Sequence, residues 1–153
     1  GVTFRIFKFR TMTVNAERKG PQITIGQDAR ITRSGHLLRD LKLDELPQLI
    51  NVLLGDMSLV GPRPEVPRYV AMYPAEVRDI VLSVGPGITD LASIEFRRES
   101  ELLGASSDPE RTYIEEVVPI KLRYCVEYVS SMSLVGDLRI SVRTVITIIG
   151  GRG

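Results

Sequence analysis

Prolines constrain this chain more than any other feature. Pro62, Pro64, Pro67 and Pro74 fall within thirteen residues. Proline lacks a backbone N–H, clashes inside a helix and pushes the residue before it toward extended backbone. The middle of the chain is therefore limited to turns and short helices. The periodicity predicts two of these, over 66–73 and 75–83, with Pro74 between them. A further helical stretch over 109–131 is expected to be interrupted at Pro119.

Around this middle the pattern is mixed. Residues 3–12, "TFRIFKFRTM", alternate Phe4, Ile6 and Phe9 with Arg5, Lys8 and Arg10, the signature of a strand with one basic face. A turn and second short strand over 19–26 would complete an N-terminal β-hairpin. Residues 28–42 read as a polar loop leading into a short helix, where Gly35 would relieve backbone strain. The stretch "RESELLG" (98–104) is another short helix, and "GPGIT" (85–89) a loop.

Helical spacing is clearest over 44–54. Leu46, Leu49, Ile50, Leu53 and Leu54 share one face, and Gly55 is a natural stop. The last segment, 134–149, is an amphipathic helix with Arg139 and Arg143 on its wet face. It could lie in a membrane interface or face the core. The expectation is one α+β domain over residues 1–153, helix-rich, with a small N-terminal β-hairpin and amphipathic helices.

The single histidine, His36, and single cysteine, Cys125, exclude most zinc and Ser-His or Cys-His machinery. Cys125 reads as a buried thiol and His36 as a surface or loop residue. The net charge of +1 and 6% aromatics argue against nucleic acid as a partner. No run of eighteen apolar residues spans a bilayer. Basic residues nevertheless cluster locally: Arg30, Arg33, Arg39 and Lys42 precede an acidic pair, Asp44 and Glu45.

That pair admits two readings. Acids in a first helical turn cap free N–H groups and suit the helix dipole, and Pro47 fits the same turn. Two adjacent carboxylates can equally hold Mg²⁺, which takes its remaining oxygens from water and substrate phosphates. A carboxylate beside Mg²⁺ and a phosphoryl group can also act as a nucleophile. Pro62-Arg63-Pro64 is likewise either a rigid turn or a preorganised guanidinium aimed at phosphate or a nucleobase.

Four segments occur in order: "FKFRTM" (7–12), "DARITRSGHLLRDLKLDELPQLINVLLGDMSLVGPRPE" (28–65), "PGIT" (86–89) and "EYV…DLRISVRTV" (127–145). Together they resemble the bacterial sugar transferase family, the polyprenyl-phosphate hexose-1-phosphate transferases, also called monotopic phosphoglycosyl transferases. The resemblance covers nearly the whole chain. It implies transfer of a sugar-1-phosphate from a UDP-sugar to a polyprenyl phosphate such as undecaprenyl phosphate, with release of UMP. This is the first membrane step of bacterial polysaccharide or glycoconjugate assembly.

By the same resemblance Asp44 is the nucleophile and forms an aspartyl phospho-sugar. Glu45 then assists either with Mg²⁺, which Asp44 and Glu45 would bind together, or with proton handling. Arg39 and Arg33 contact substrate phosphate, and Pro62, Arg63 and Pro64 lie by the nucleotide. The rival is a non-catalytic module binding nucleotide sugar or a partner.

Two departures stand out. Asp90 and Ser93 replace a glycine and a glutamine common after "PGIT", marking a different loop on the sugar or acceptor side. Glu95, Arg97 and Arg98 either line a sugar pocket or form a solvated loop. The family also carries an upstream hydrophobic re-entrant helix that these residues lack. The chain therefore reads as the soluble core of an enzyme of the cytoplasmic face of the inner membrane. Exposed apolar surface could drive self-association into a homo-oligomer.

Overall fold

The computed structural model describes residues 1–18, 20 and 23–150. Short helices surround a minimal sheet, as the proline spacing requires. Helix α1 spans Arg33–Asp40, capped by the Thr32 hydroxyl, which accepts from the Gly35 N–H at 3.0 Å. A 3₁₀ turn, Leu43–Glu45, leads into α2, Gln48–Leu54, which ends at Gly55 with φ +83°. Strand β1 is Ser58–Val60. Helices α3 (Pro67–Val70) and α4 (Ala75–Val81) flank Pro74 as expected. Strand β2 (Gly87–Thr89) and helices α5 (Leu91–Glu95), α6 (Glu99–Gly104) and α7 (Pro109–Thr112) follow. A π turn, Tyr113–Val117, runs into α8, Val118–Ser131, and α9 is Leu134–Gly150. Pro119 does not break the long helical stretch. It sits in the first turn of α8, where its missing N–H costs nothing, and the π turn before it takes up the irregularity.

The α+β single-domain reading holds, but its sheet lies elsewhere than expected. Strands β1 and β2 pair in parallel, Ser58 opposite Gly87 and Val60 opposite Thr89. "GPGIT" is thus strand rather than loop. Backbones approach so closely here that a Cβ on Gly87 would lie 2.1 Å from the Gly61 nitrogen.

The N-terminal hairpin is absent among the described residues; positions 19, 21 and 22 of its second strand lie outside them. The 3–12 segment has other partners for its backbone. The Phe7 N–H donates to Asn51 Oδ1 at 2.9 Å, the Phe9 N–H to the Asp44 carbonyl at 3.0 Å, and Thr13 N–H to the Arg30 carbonyl at 2.8 Å. Among the described residues its strand pairing is one antiparallel bridge, Met12 with Ile31. Gly35 also differs from expectation. It relieves crowding rather than strain, because a Cβ there would meet the Thr11 carbonyl oxygen at 2.1 Å.

The main core gathers Tyr69, Val81, Leu103, Tyr113, Val117, Leu122 and Cys125, with Ile23. A second cluster, Val60, Tyr128 and Ile140, seats α9 on β1. Helix α2 turns out reversed. Its buried positions are Gln48 and Asn51, whereas Leu49, Ile50, Leu53 and Leu54 are exposed. On α9 only Ile140 is buried, and Leu134, Val135, Leu138, Val142, Val145, Ile146 and Ile149 face outward. No helix among the described residues is long and apolar enough to cross a membrane.

Candidate functional site

The acidic pair sits on the 3₁₀ turn between α1 and α2. Lys42 precedes it with φ 54°, a left-handed conformation that is uncommon for lysine and costs on the order of 1 kcal/mol. The Asp44 side chain is 3% exposed and the Glu45 side chain 14%.

Three cations meet them. Lys8 Nζ lies 3.1 Å from Asp44 Oδ2 and 3.1 Å from Glu45 Oε1, straddling the pair. Arg63 grips Glu45 with both terminal nitrogens, Nη1 to Oε2 at 3.0 Å and Nη2 to Oε1. Lys42 stands at the rim of the same opening. Burial pushes the Glu45 carboxyl up, but Arg63 and then Lys8 outweigh it and hold its pKa at about 2. Glu45 is therefore ionised throughout the physiological range.

Each of these side chains is delivered by backbone elsewhere. Asn51 accepts from the Phe7 N–H and donates to the Arg5 carbonyl at 2.8 Å, which fixes the segment carrying Lys8. Arg63 follows β1 between Pro62 and Pro64. Its N–H donates to Asp90 Oδ2 at 3.3 Å, and its Nη1 also donates to the Ile88 carbonyl at 3.4 Å. Buried Asp90 caps α5 as well, accepting from the Ser93 N–H at 2.6 Å. The departure at position 90 thus ties the Pro-Arg-Pro turn to β2 and α5.

Beside the pair opens a cavity of about 530 Å³. Lys42, Glu45 and Arg63 belong to its wall, as do Leu46 and Leu49 of α2 and Thr144, Thr147 and Ile148 of α9. Pro64, Glu65, Asp90, Ser93, Arg97, Glu99, Tyr113 and Lys121 line it too. Asp44 is not in the wall. Its carboxylate is buried and pairs with Lys8, which is partly exposed.

The anticipated site residues are therefore only partly gathered. Asp44, Glu45, Arg63 and Pro64 converge, and Pro62 is buried beneath the turn. Arg39 is held by the hydroxyls of Thr11 (Nε, 2.9 Å) and Thr24 (Nη1, 3.1 Å) and does not line the cavity, and Arg33 is exposed at the start of α1. Arg97 lines the cavity, whereas Glu95 and Arg98 do not. Lys8 is the residue that sequence reading passed over. It stood with Arg5 and Arg10 as an early basic cluster suited to an anionic ligand, and nothing local ties it to a pair thirty-six residues away.

Among the described residues no three His, Cys, Asp or Glu side chains cluster for a metal. The donor set is two adjacent carboxylates, one of them ionised at any physiological pH. Such a set fits a hard divalent cation that draws its other oxygens from water and phosphate. Lys8 occupies the position between the two acids.

Residues 1–151 match the family described as bacterial sugar transferase, and the chain belongs to that family. It is 38% identical over 152 residues to the UDP-N-acetylgalactosamine-undecaprenyl-phosphate N-acetylgalactosaminephosphotransferase of Aeromonas hydrophila, covering 98% of this chain and 33% of that protein. It is 37% identical over 149 residues to the UDP-glucose:undecaprenyl-phosphate glucose-1-phosphate transferase of Caulobacter vibrioides, covering 95% and 51%. Against the galactosyl transferase CpsE of Streptococcus agalactiae it is 34% identical over 165 residues, covering 100% and 33%. The chain thus spans between a third and about half the length of these relatives.

Proposed function

We propose that this chain is the catalytic core of an enzyme that moves a sugar-1-phosphate from a UDP-sugar to a polyprenyl phosphate at the cytoplasmic face of the bacterial inner membrane. The observation that carries the reading is Glu45 in the cavity wall, gripped by Arg63 and joined through Lys8 to the carboxylate of Asp44. The relatives named as undecaprenyl-phosphate sugar-phosphate transferases support the reaction class.

The chemistry runs in two displacements. An Asp44 carboxylate oxygen attacks the phosphorus bearing the sugar. The bond from that phosphorus to the bridging oxygen breaks, and UMP leaves with both electrons. Asp44 now carries a phospho-sugar. A phosphate oxygen of the polyprenyl phosphate then attacks the same phosphorus, the Asp44–phosphorus bond breaks, and the polyprenyl diphosphate sugar departs. The sugar–oxygen bond is never cut, so its anomeric configuration is retained.

Both substrates are anionic and would repel a carboxylate nucleophile. Arg63, Lys42 and Lys8 offset that charge. A donor diphosphate competes with Asp44 and Glu45 for Lys8, and the half-exposed lysine can follow it, uncovering Asp44. Asp44 and Glu45 would hold Mg²⁺, which supplies further neutralisation of phosphate charge when bound. Glu45, already ionised, keeps Arg63 oriented. The exposed apolar residues of α2 and α9, on both sides of the cavity, suit an acceptor that arrives with its lipid.

The test is incubation with UDP-sugars and Mg²⁺, scored by UMP release and by intact mass. A phospho-sugar adduct on Asp44, lost together with UMP release in Asp44→Asn, is the expected result. An Asp44→Asn protein that keeps a good fraction of wild-type turnover, or an adduct on Glu45, would remove Asp44 as nucleophile. UDP-sugar binding with no UMP release under any condition would leave a non-catalytic binding module.

A further inference from the structure

The part of the cavity wall around Tyr113 is built differently from the part that carries Lys42, Glu45 and Arg63. Its polar groups are already paired with one another. The Tyr113 hydroxyl donates to Glu65 Oε2, while Glu65 Oε1 accepts from the Val66 N–H at 2.8 Å. Lys121 pairs with Glu99, and its ammonium lies 5.1 Å from the Tyr113 ring centroid and 5.9 Å from that of Phe96. Arg97 adds a second cation to the wall. Over the whole lining the formal charges cancel, Lys42, Arg63, Arg97 and Lys121 against Glu45, Glu65, Asp90 and Glu99. Such a lining disfavours a ligand group with net charge, since that group would be desolvated without a counter-ion. It favours a neutral one rich in hydroxyls, which can donate to the carboxylates and accept from the cations. Phe96, Tyr73 and Tyr113 supply flat apolar faces beside these polar groups.

One atom in this wall is unspent. The Ser93 hydroxyl is buried in the wall and has no hydrogen-bond partner among the described residues. Asp90 fixes its backbone through the α5 cap, so the orphaned hydroxyl is held in place. A buried polar atom without a partner is costly, and a ligand hydroxyl would relieve it. The recess also lies at the right remove from Arg63. Glu65 follows Arg63 by two residues, about 7 Å of extended backbone, comparable to the separation of a phosphate from the ring it carries.

We propose that this recess seats the neutral pyranose of the nucleotide sugar, with the Ser93 hydroxyl and the Lys121 ammonium setting which sugar is accepted. The proposal rests on the transfer reading above for the identity of the donor. Arg63 and Lys42 then hold the diphosphate while the ring enters between α5 and α8. A uronic acid is disfavoured because its carboxylate would unbalance the paired charges.

Calorimetric titration of the intact protein with UDP, UDP-glucose, UDP-N-acetylgalactosamine and UDP-glucuronate tests this. A neutral UDP-sugar is expected to bind more tightly than UDP, and UDP-glucuronate no more tightly than UDP. Ser93→Ala should remove roughly 3- to 10-fold of the neutral sugar's advantage and leave UDP affinity unchanged, since one hydrogen bond is lost and nothing in the fold depends on that hydroxyl. Lys121→Met, checked for folding by its thermal transition, should change the order of preference among the neutral sugars.

Equal binding of UDP and all UDP-sugars by wild type overturns the proposal. So does a Ser93→Ala protein that weakens UDP as much as UDP-sugar, or that keeps the full advantage. The two readings fail separately. A Ser93-dependent sugar advantage without UMP release leaves the subsite standing and removes the transfer. UMP release with unaltered sugar preference in both variants leaves the transfer standing and removes the subsite.

Discussion

The ammonium of Lys8 and the guanidinium of Arg63 together decide the charge state of Glu45. The sign of the resulting pH dependence follows from the direction of the shift. Glu45 has its folded pKa lowered from 4.5 to about 2, so its contribution to stability is complete above about 4.5 and is lost as pH falls toward 2. The effect is on the order of 2 kcal/mol, given that Lys8 and Arg63 are both partly exposed. Urea unfolding of wild type and Glu45→Gln at pH 7 and pH 3 should show it. Wild type loses this increment on acidification and the variant does not; parallel losses in both proteins would place the acid sensitivity elsewhere. Cys125 makes the opposite case. Burial pushes its thiol up to about 12, with Asp90 adding to the rise. A chromogenic disulfide reagent at pH 8 should leave the folded protein unlabelled and react stoichiometrically in denaturant. Labelling of the native protein at the rate of a free thiol would contradict that environment. The sequence made the Asp44–Glu45 pair and the inert Cys125 legible because each announces itself within a few residues. Lys8 was not legible, because its relation to the pair exists only after Asn51 has fastened residues 5–7 onto α2.

Helix α2 shows how far periodicity reaches. The spacing of Leu46, Leu49, Ile50, Leu53 and Leu54 located the helix and its end at Gly55, but the helix begins at Gln48 rather than Asp44, and the acid pair lies on a separate 3₁₀ turn before it. Yet an apolar stripe records only that something apolar is to cover it, and in this chain the interior takes the other face. Asn51 is 0% exposed and satisfies Phe7 N–H, the Arg5 carbonyl and Asp56 Oδ2, whereas Leu53 is 87% exposed. Ordinary expectation about helix faces is therefore inverted. Asn51→Ala should destabilise by on the order of 2–4 kcal/mol, since it strands several buried groups at once. Leu53→Ala should lie within about 0.5 kcal/mol of wild type. Denaturant midpoints at matched slope measure both, and a larger loss for Leu53 than for Asn51 would mean that the leucine face is covered within the domain. The parallel pair β1–β2 was illegible for a related reason. Three residues between a Gly-Pro-Gly turn and a helix cap carry no strand signal of their own, and the pairing is made across twenty-nine residues.

The two helices that flank the cavity are also the two with uncovered apolar faces, and this coincidence bears on how a soluble donor and a lipid-borne acceptor could share one site. Leu49, Leu53 and Leu54 on α2 and Leu138, Val142, Val145 and Ile149 on α9 are all exposed. Arg139 and Arg143 stand exposed on α9 beside them. An apolar face edged by arginines is suited to the headgroup region of an anionic bilayer. Co-sedimentation with vesicles of phosphatidylglycerol and phosphatidylethanolamine is expected, weakening as salt is raised, because the arginine contribution is screened while the apolar contribution is not. Replacing Leu53 by Gln should lower partitioning roughly tenfold, the worth of withdrawing one leucine from an apolar environment, and adding Val142→Gln should lower it further. Both positions are exposed, so neither change should shift the denaturant midpoint appreciably, which separates a surface effect from unfolding. The same faces could instead meet in a second copy of the chain. Sedimentation velocity distinguishes the cases: a concentration-dependent dimer abolished by Leu53→Gln, with vesicle binding unaffected, assigns the face to self-association, whereas a monomer whose vesicle affinity falls with each substitution assigns it to lipid. The second outcome is the one expected, because a dimer sealed across α2 and α9 would cover the flanks of the cavity that, on the proposed transfer, a membrane-bound acceptor would use.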